Sequence, residues 1–167
     1  MPERRPADDP IAAPTASYDS TMPGIDLHAH TSVSDGTETP AELVAAALEA
    51  GLDAVAITDH DATAGWQQAF DAARGTGLTI VPGLEFSTQR DGASVHLLGY
   101  LVDPANLGLV AETERIRDER LTRAQSMVDR IAVDYPELNW DLVLEHTSPG
   151  ATVGRPHIAD APITLGY

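Results

Sequence analysis

The sequence predicts an α/β fold with a parallel sheet. Short apolar segments and amphipathic segments alternate over residues 25–84 in the order strand, helix, strand, helix, strand. Short connections between such elements are typical of βαβ units. The chain has 167 residues, which is enough for one domain with a hydrophobic core. We expect this domain at residues 24–167, after a disordered leader at residues 1–23 that is rich in Pro, Ala, Asp and Ser.

The first strand and the first helix have clear boundary residues. Ile25–Ala29 predicts a short strand that leads into a polar loop. Thr39 can cap a helix whose first residue is Pro40, and Glu42 completes a capping box. The spacing of apolar residues predicts that this helix continues to Ala50.

Two further strands enclose a second helix. Asp53–Thr58 and Leu78–Leu84 are apolar segments of strand length, and they predict the second and third strands. Between them, Gly65–Arg74 has the spacing of a helix, and a glycine-rich turn follows it. The alternation of strands and helices predicts that all three strands run parallel.

A hairpin and a long helix are predicted after the third strand. Phe86–Gln89 and Ser94–Leu101 flank Asp91-Gly92, a favoured pair for a tight turn. Asn106–Ala132 is predicted to be a helix, and Asn139–His146 a shorter one. One face of the long helix is apolar and contains Val110, Ile116, Leu121, Ala124, Val128 and Ile131.

Charge and composition exclude several classes of partner. The formal net charge of -16 repels a nucleic-acid backbone, so we expect no binding of long DNA or RNA. A small anionic substrate remains compatible with this charge where metal ions and arginines reverse its sign locally. The chain has no cysteine, which rules out disulfides and thiolate metal sites and agrees with a cytoplasmic location. It has neither a bilayer-length apolar run nor a signal peptide, so we expect no membrane partner.

Side chains that bind metals follow the predicted strands. In parallel α/β folds, sites lie at the carboxyl ends of strands. His28 and His30 are two residues apart in a strand, so both imidazoles face the same way and can share one ion. Asp26 and Asp59 are candidates for orienting these imidazoles or a bound water. The candidate ligands are His28, His30, Asp35, His60, Glu85 and His96, a set that suits Zn, Mn or Fe.

We assign no metal-binding role to two further polar residues near these segments. We expect Asp61 to be an ordinary loop carboxylate and His146 to be a solvated helix residue. Gly36 follows Asp35 and permits a sharp turn of the loop.

Several segments together resemble the PHP (polymerase and histidinol phosphatase) superfamily. The chain is most similar to the stand-alone metal-dependent phosphoesterases of the TrpH type, over about residues 24–167. Gly154-Arg155-Pro156-His157 also fits that subgroup. The other matching segments are Asp26–Thr31, Ser34–Gly36, Ile57–Asp61, Gly83–Glu85 and His96–Tyr100.

This resemblance implies a distorted TIM-like (β/α)7 barrel that holds two to three divalent ions, of Mn, Fe or Zn. It also implies an inserted helical region from about residue 105. The family completes its metal shells with a further histidine and a late Asp-x-His pair, and no Asp-x-His follows His96 in this chain. We therefore expect the N-terminal portion of a barrel that is incomplete at its C-terminus.

The resemblance also implies a role for each candidate ligand. His28 and His30 would bind the first ion, and His96 would bind the second. Glu85 would bridge these two ions. Asp35 and His60 would bind the third.

The implied activity is hydrolysis of small phosphoesters. A hydroxide that bridges the first two ions would attack phosphorus. The expected substrates are small nucleotides or short oligonucleotides, such as 3',5'-bisphosphonucleotides or the 5' end of a short RNA. A histidinol-phosphate-type phosphomonoesterase and a non-catalytic metal-binding module are the alternatives. All six early ligand positions are intact, which favours catalysis in the full-length protein.

Three residues are candidates for binding the substrate. Arg155 is the first choice, because its planar guanidinium matches phosphate. Arg120 is the second, although we favour the alternative that it forms a surface ion pair with a glutamate at position 112, 114 or 119. His157 could contact the substrate, act as the general acid, or cap the final helix. The oligomeric state is not predicted.

Overall fold

The computed structural model describes residues 23–166. The expected leader at residues 1–23 therefore lies outside the described residues, except for Pro23. No helix among the residues described has both the length and the apolar character needed to cross a membrane. Over residues 23–166 the elements are β1 (Ile25–Ala29), α1 (Pro40–Glu49), β2 (Ala54–Ile57), α2 (Trp66–Ala73), β3 (Thr79–Arg90), β4 (Ala93–Tyr100), α3 (Leu107–Ile131), α4 (Trp140–Glu145) and α5 (Arg155–Thr164).

The strands form one sheet in the order β1-β2-β3-β4. β1 and β2 are parallel, as are β2 and β3, whereas β3 and β4 form an antiparallel hairpin. This arrangement confirms the predicted α/β fold and places the carboxyl ends of β1 and β2 at the same edge of the sheet, where β3 continues past them.

The sheet is strongly curled. The hydroxyl of Tyr100 on β4 donates a hydrogen bond to the carbonyl of Leu27 on β1, at 2.7 Å. These strands are the two outer ones, and in a flat sheet they would lie about 14 Å apart. The contact therefore requires the sheet to wrap around, as in part of a barrel. The fold is the incomplete TIM-like barrel that the resemblance implied.

The third strand differs from the prediction. We expected one strand to end at Leu84 and a hairpin strand to begin at Phe86, but β3 is continuous from Thr79 to Arg90. Its first residues pair with β2 and its later residues pair with β4, from Gly83 to Arg90. Glu85 is a charged residue inside this strand, and the alternation of a strand allows its side chain to face the site while Leu84 is buried in the core.

The helix caps and the hairpin turn agree with the sequence. Thr39 accepts a hydrogen bond from the backbone of Glu42, whose carboxylate accepts one from the backbone N–H of Thr39 at 2.8 Å. Asn106 caps α3. Asp91 and Gly92 both have positive φ angles, 52° and 80°, as a two-residue hairpin turn of type I′ requires.

The core has two parts. The first packs α1 and α2 against the sheet and includes Val44, Ile57 and Leu84. The second joins α3, α4 and α5 and includes Val128 and Val143. The indole of Trp66 donates to the carbonyl of Gly83 at 2.8 Å and ties α2 to β3 two residues before Glu85. The core thus fixes the strand that carries the central carboxylate of the site.

One residue on the predicted apolar face of α3 is not buried. Ile116, Ala124 and Val128 are buried as expected, but Leu121 is 39% exposed. The neighbouring buried position belongs to Arg120, whose side chain faces the sheet.

We expect Thr39→Ala to lower the free energy of unfolding by about 1 kcal/mol, because it removes the side-chain cap of α1. Urea unfolding followed by circular dichroism measures this loss. Thr37→Ala is the matched control, since the exposed Thr37 hydroxyl bonds only to the adjacent Glu38 side chain. Equal losses in both variants would contradict a capping role.

Candidate metal centre

The six predicted ligand residues all lie together at the carboxyl edge of β1 and β2, beside the middle of β3. They form three overlapping groups, and within each group the candidate ligand atoms lie within 4.8 Å of one another. Such groups of imidazole and carboxylate are able to bind metal ions. The groups are His28, His30 and Glu85; His30, Asp35 and His60; and His60, Glu85 and His96.

Glu85 is the centre of this arrangement. One of its oxygens lies 3.0 Å from Nε2 of His28 and 2.8 Å from Nε2 of His30, and the other contacts Nδ1 of His96. Its side chain is only 4% exposed. Burial opposes its ionisation, but the hydrogen bonds with His28 and His96 help to outweigh this effect and lower the pKa of Glu85. Glu85 is therefore an anion that several imidazoles share.

Asp35 and His60 form the second half of the site. Asp35 lies 3.1 Å from Nδ1 of His30 and 3.6 Å from Nε2 of His60. Burial opposes ionisation of Asp35, but its hydrogen bond with His30 and the nearby cations lower its pKa to about 2. Burial, followed by the charge of Arg120, lowers the pKa of His60 to about 4. His60 is thus neutral at neutral pH, the form that binds metals.

His60 also provides a test of whether metal ions fit this site. Its Nδ1 is buried and has no hydrogen-bond partner among residues 23–166. A buried ring nitrogen without a partner carries an energetic cost that a bound cation can remove. Nδ1 lies 3.6 Å from Glu85 and Nε2 lies 3.6 Å from Asp35, so His60 belongs to two of the groups. The residues fit divalent ions.

Asp59 supports the loop that carries His30 and Asp35. Its carboxylate accepts hydrogen bonds from the backbone N–H of Thr31 at 2.7 Å, from the Thr31 hydroxyl at 2.8 Å and from the Ser34 hydroxyl at 2.7 Å. Burial is the largest influence on Asp59 and raises its pKa. These contacts show that Asp59 orients the loop, whereas its expected role in orienting an imidazole or a bound water stays a prediction.

Asp26 also differs from the expectation. Its carboxylate accepts a hydrogen bond from the backbone N–H of His28 at 2.9 Å. This contact stabilises the end of β1 and does not fix the tautomer of the imidazole.

Two glycines allow the backbone to approach the ligands closely. A Cβ atom on Gly36 would overlap the carbonyl of His30, and a Cβ atom on Gly154 would lie 2.7 Å from a carboxylate oxygen of Asp35. The segment before α5 is fixed there by Thr152, whose hydroxyl donates to the carbonyl of His60 at 3.0 Å. The need for Gly36 thus comes from close approach, and the segment at Gly154 forms a wall of the site.

Arg120 lies in the site and not on the surface. The favoured interpretation, a surface ion pair with a glutamate of α3, is wrong, because Arg120 is buried and donates a hydrogen bond to the Ser87 hydroxyl at 2.5 Å. Arg115 forms the surface pairs with Glu112 and Glu119 instead. The helical period places residues 116, 120 and 124 on one buried face of α3, so Arg120 lies on the same face as the buried apolar residues.

Asp61 was also misinterpreted. It is 1% exposed and has a positive φ of 51°. Its carboxylate accepts hydrogen bonds from the backbone N–H and the hydroxyl of Ser87, at 2.8 Å and 2.7 Å. It also lies 3.7 Å from Arg120. A buried charge with these partners is a structural element of the site and not an ordinary loop carboxylate.

A small cavity of about 110 Å³ adjoins the metal-ligand groups. Asp35, His60 and His96 line it. Three arginines, Arg120, Arg123 and Arg155, line it as well. Arg123 was not singled out from the sequence, although its position three residues after Arg120 places both on one side of α3. The cavity therefore combines metal-ligand residues with a concentration of positive charge in a strongly acidic chain.

His157 caps the final helix. Its Nδ1 accepts a hydrogen bond from the backbone N–H of Gly154 at 3.0 Å, and the ring is buried. Burial is the largest influence on this ring and lowers the pKa of His157. Of the three alternatives that the sequence left open, the observed contact supports the cap.

The sequence of this chain is similar to those of known proteins. A model of the PHP domain matches residues 26–151. The 3',5'-nucleoside bisphosphate phosphatase of Chromobacterium violaceum is 40% identical over 106 residues, which are 64% of this chain and 37% of that protein. The 5'-3' exoribonuclease Rnm of Salmonella typhimurium is 34% identical over 147 residues, which are 84% of this chain and 48% of that protein.

A solved structure shares the fold as well. It is the crystal structure of a Bifidobacterium adolescentis protein that is predicted to be a metal-dependent phosphoesterase. It has a TM-score of 0.81 and 44% identity to this chain, and the match covers 86% of this chain and 51% of that one. The chain thus spans about half the length of these relatives, or less.

We expect Gly154→Ala to weaken metal binding by about tenfold, because the added methyl group displaces the Asp35 carboxylate. Titration of the chain with Mn²⁺, followed by elemental analysis, measures this loss. Gly108→Ala is the control at the start of α3, where alanine favours the helix. Normal metal binding by a folded Gly154→Ala variant would contradict the role assigned to this close approach.

Proposed function

Because the chain belongs to the PHP domain family, we propose that it contributes the metal centre of a phosphoesterase that acts on small phosphorylated nucleotides. The observation that carries this proposal is the position of Glu85, which is shared by His28, His30 and His96 and lies beside a cavity with three arginines. Cationic side chains beside a cluster of metal-ligand residues are the combination that phosphoryl transfer requires.

We propose that the three groups of ligands hold two to three ions. His28, His30 and Glu85 would hold the first ion, and Glu85 and His96 would hold the second. Asp35 and His60 would hold the third, and His60, whose Nδ1 lies 3.6 Å from Glu85, would also serve the second. Imidazole and carboxylate ligands suit Mn, Fe or Zn.

The arginines and the metal ligands have separate tasks in this mechanism. Bound divalent ions supply Lewis-acid chemistry, because they activate water and offset the charge of a phosphate. Arg155, Arg123 and Arg120 bind phosphate oxygens through their planar guanidinium groups. His60 is neutral and Asp35 is ionised at neutral pH, so both are ready to act as ligands without loss of a proton. His157 does not donate a proton from Nδ1, which is occupied by its helix-capping contact.

A second cavity provides space for the rest of the substrate. Its volume is about 560 Å³, within the range of small-molecule sites. Arg120 and Arg123 line both cavities, so the two spaces meet at these side chains. In this proposal the phosphate lies in the first cavity and the nucleoside lies between α3 and the β3–β4 hairpin.

A small substrate agrees with the charge and with the relatives. The net charge of -16 disfavours a long nucleic-acid track. The two curated relatives described above are a nucleoside bisphosphate phosphatase and an exoribonuclease. We propose 3',5'-bisphosphonucleotides and the 5' ends of short RNA as the substrate classes.

We expect the purified full-length protein to release phosphate from a 3',5'-bisphosphonucleotide, to lose this activity on treatment with EDTA and to regain it with Mn²⁺ or Zn²⁺. A panel that adds 5'-phosphorylated short RNA and histidinol phosphate ranks the substrates. Preference for histidinol phosphate would favour the phosphomonoesterase alternative. Metal binding without phosphate release from any member would favour a non-catalytic module.

We expect Glu85→Gln to lower both bound metal and phosphate release, the latter by more than about a hundredfold, because it removes the anion that three imidazoles share. Elemental analysis and a phosphate-release assay measure the two effects. Glu49→Gln, on the exposed end of α1, makes the same chemical change outside the site. If Glu85→Gln retained the metal content of the wild type, the bridging role would be wrong.

A further inference from the structure

A series of hydrogen-bonded polar side chains connects the loop after β2 with the middle of α3. Arg120 donates a hydrogen bond from NH1 to the Ser87 hydroxyl at 2.5 Å. Ser87 in turn donates to the Asp61 carboxylate at 2.7 Å. The other carboxylate oxygen of Asp61 accepts a hydrogen bond from the backbone N–H of Ser87 at 2.8 Å. Three elements distant in sequence therefore meet through one hydroxyl group.

The two charged residues in this series of contacts, Asp61 and Arg120, are both buried. Asp61 and Arg120 are 1% and 8% exposed, and their charged groups lie 3.7 Å apart. Burying opposite charges is costly unless their remaining hydrogen-bonding groups also find partners. Asp61 is fully engaged with Ser87, whereas the Nε of Arg120 has no hydrogen-bond partner among the residues that the structure describes. Arg120 thus retains a free donor.

The Arg120 side chain also lies beside the candidate metal centre. Its side chain lines the small cavity together with Asp35, His60 and His96. A flexible arginine loses conformational freedom when it binds a phosphate, and this loss weakens binding. An arginine already held by a neighbouring hydroxyl has lost that freedom in advance.

We propose that Asp61 and Ser87 are positioning residues, which hold the guanidinium group of Arg120 beside the metal centre so that it can bind the phosphate of the substrate. This inference rests on the proposed function in taking phosphate as the ligand. The competing possibility is that Asp61 and Arg120 only join α3 to the half-barrel as a structural ion pair.

The test is a double-mutant cycle with binding of inorganic phosphate as the readout. Isothermal titration calorimetry on the manganese-loaded full chain gives the dissociation constant, and elemental analysis confirms equal metal content. We expect Ser87→Ala to weaken phosphate binding about tenfold, because it removes a hydrogen bond to a charged group. In an Arg120→Gln background, the same Ser87→Ala change should have no further effect.

Further variants separate positioning from folding. Arg120→Gln leaves Asp61 buried without a cation, so Asp61→Asn is added to every member of the cycle if that variant does not fold. Ser87→Thr keeps the hydroxyl and should restore phosphate affinity. Arg117→Ala removes a positive charge from the same helix, outside both cavities, and should leave phosphate affinity unchanged.

Each outcome supports or overturns a defined statement. A Ser87→Ala effect that persists in the Arg120 variants would overturn the positioning role while leaving the proposed function intact. A lower melting temperature with unchanged phosphate affinity would do the same, since it indicates a structural ion pair only. A wild-type chain that binds metal but no phosphate would overturn the proposed function and, with it, this inference.

Discussion

The rest of the structure depends on the burial of one carboxylate among imidazoles. Glu85 is an anion inside the fold, and it is tolerated there because His28, His30 and His96 contact its two oxygens. His28 lies on β1, His30 directly follows β1, and His96 lies on β4. The partners of Glu85 thus come from the two outer strands of the sheet. The position of Glu85 therefore requires a sheet with closely approaching outer strands, and a β3 strand that continues through the charged residue.

Two more buried carboxylates extend the same principle to the surrounding loops. Asp59 binds the hydroxyls of Thr31 and Ser34, and Asp61 binds the hydroxyl of Ser87. Each carboxylate lies next to His60 and faces a different element, so the segment after β2 is tied to the β1 loop on one side and to β3 on the other. Small hydroxyl side chains thus place the ligands through hydrogen bonds in a region with few apolar contacts.

The sequence predicted the parts of this molecule that depend on local pattern. The helix cap at Thr39 follows from short-range chemistry, and the six ligand-type residues follow from their residue types in and beside the predicted strands. The roles of Arg120 and Asp61 depend on contacts between distant segments, which no local spacing reveals. The prediction that the third strand ends before Glu85 failed for a related reason. A charged residue usually marks the end of a buried strand, but Glu85 faces a polar site, so the strand continues through it. The three alternatives for His157 could be separated only by its contact with Gly154.

The contact between Tyr100 and Leu27 has a thermodynamic consequence for the metal centre. In a flat sheet, β1 and β4 would lie about 14 Å apart, and this 2.7 Å contact would be lost. The same curvature brings His28 of β1 and His96 of β4 towards the carboxylate of Glu85 that both contact. By mass action, any ion that binds this set of ligands favours the curled sheet over flatter conformations. Occupancy of the centre and closure of the sheet are thus linked equilibria, and each stabilises the other.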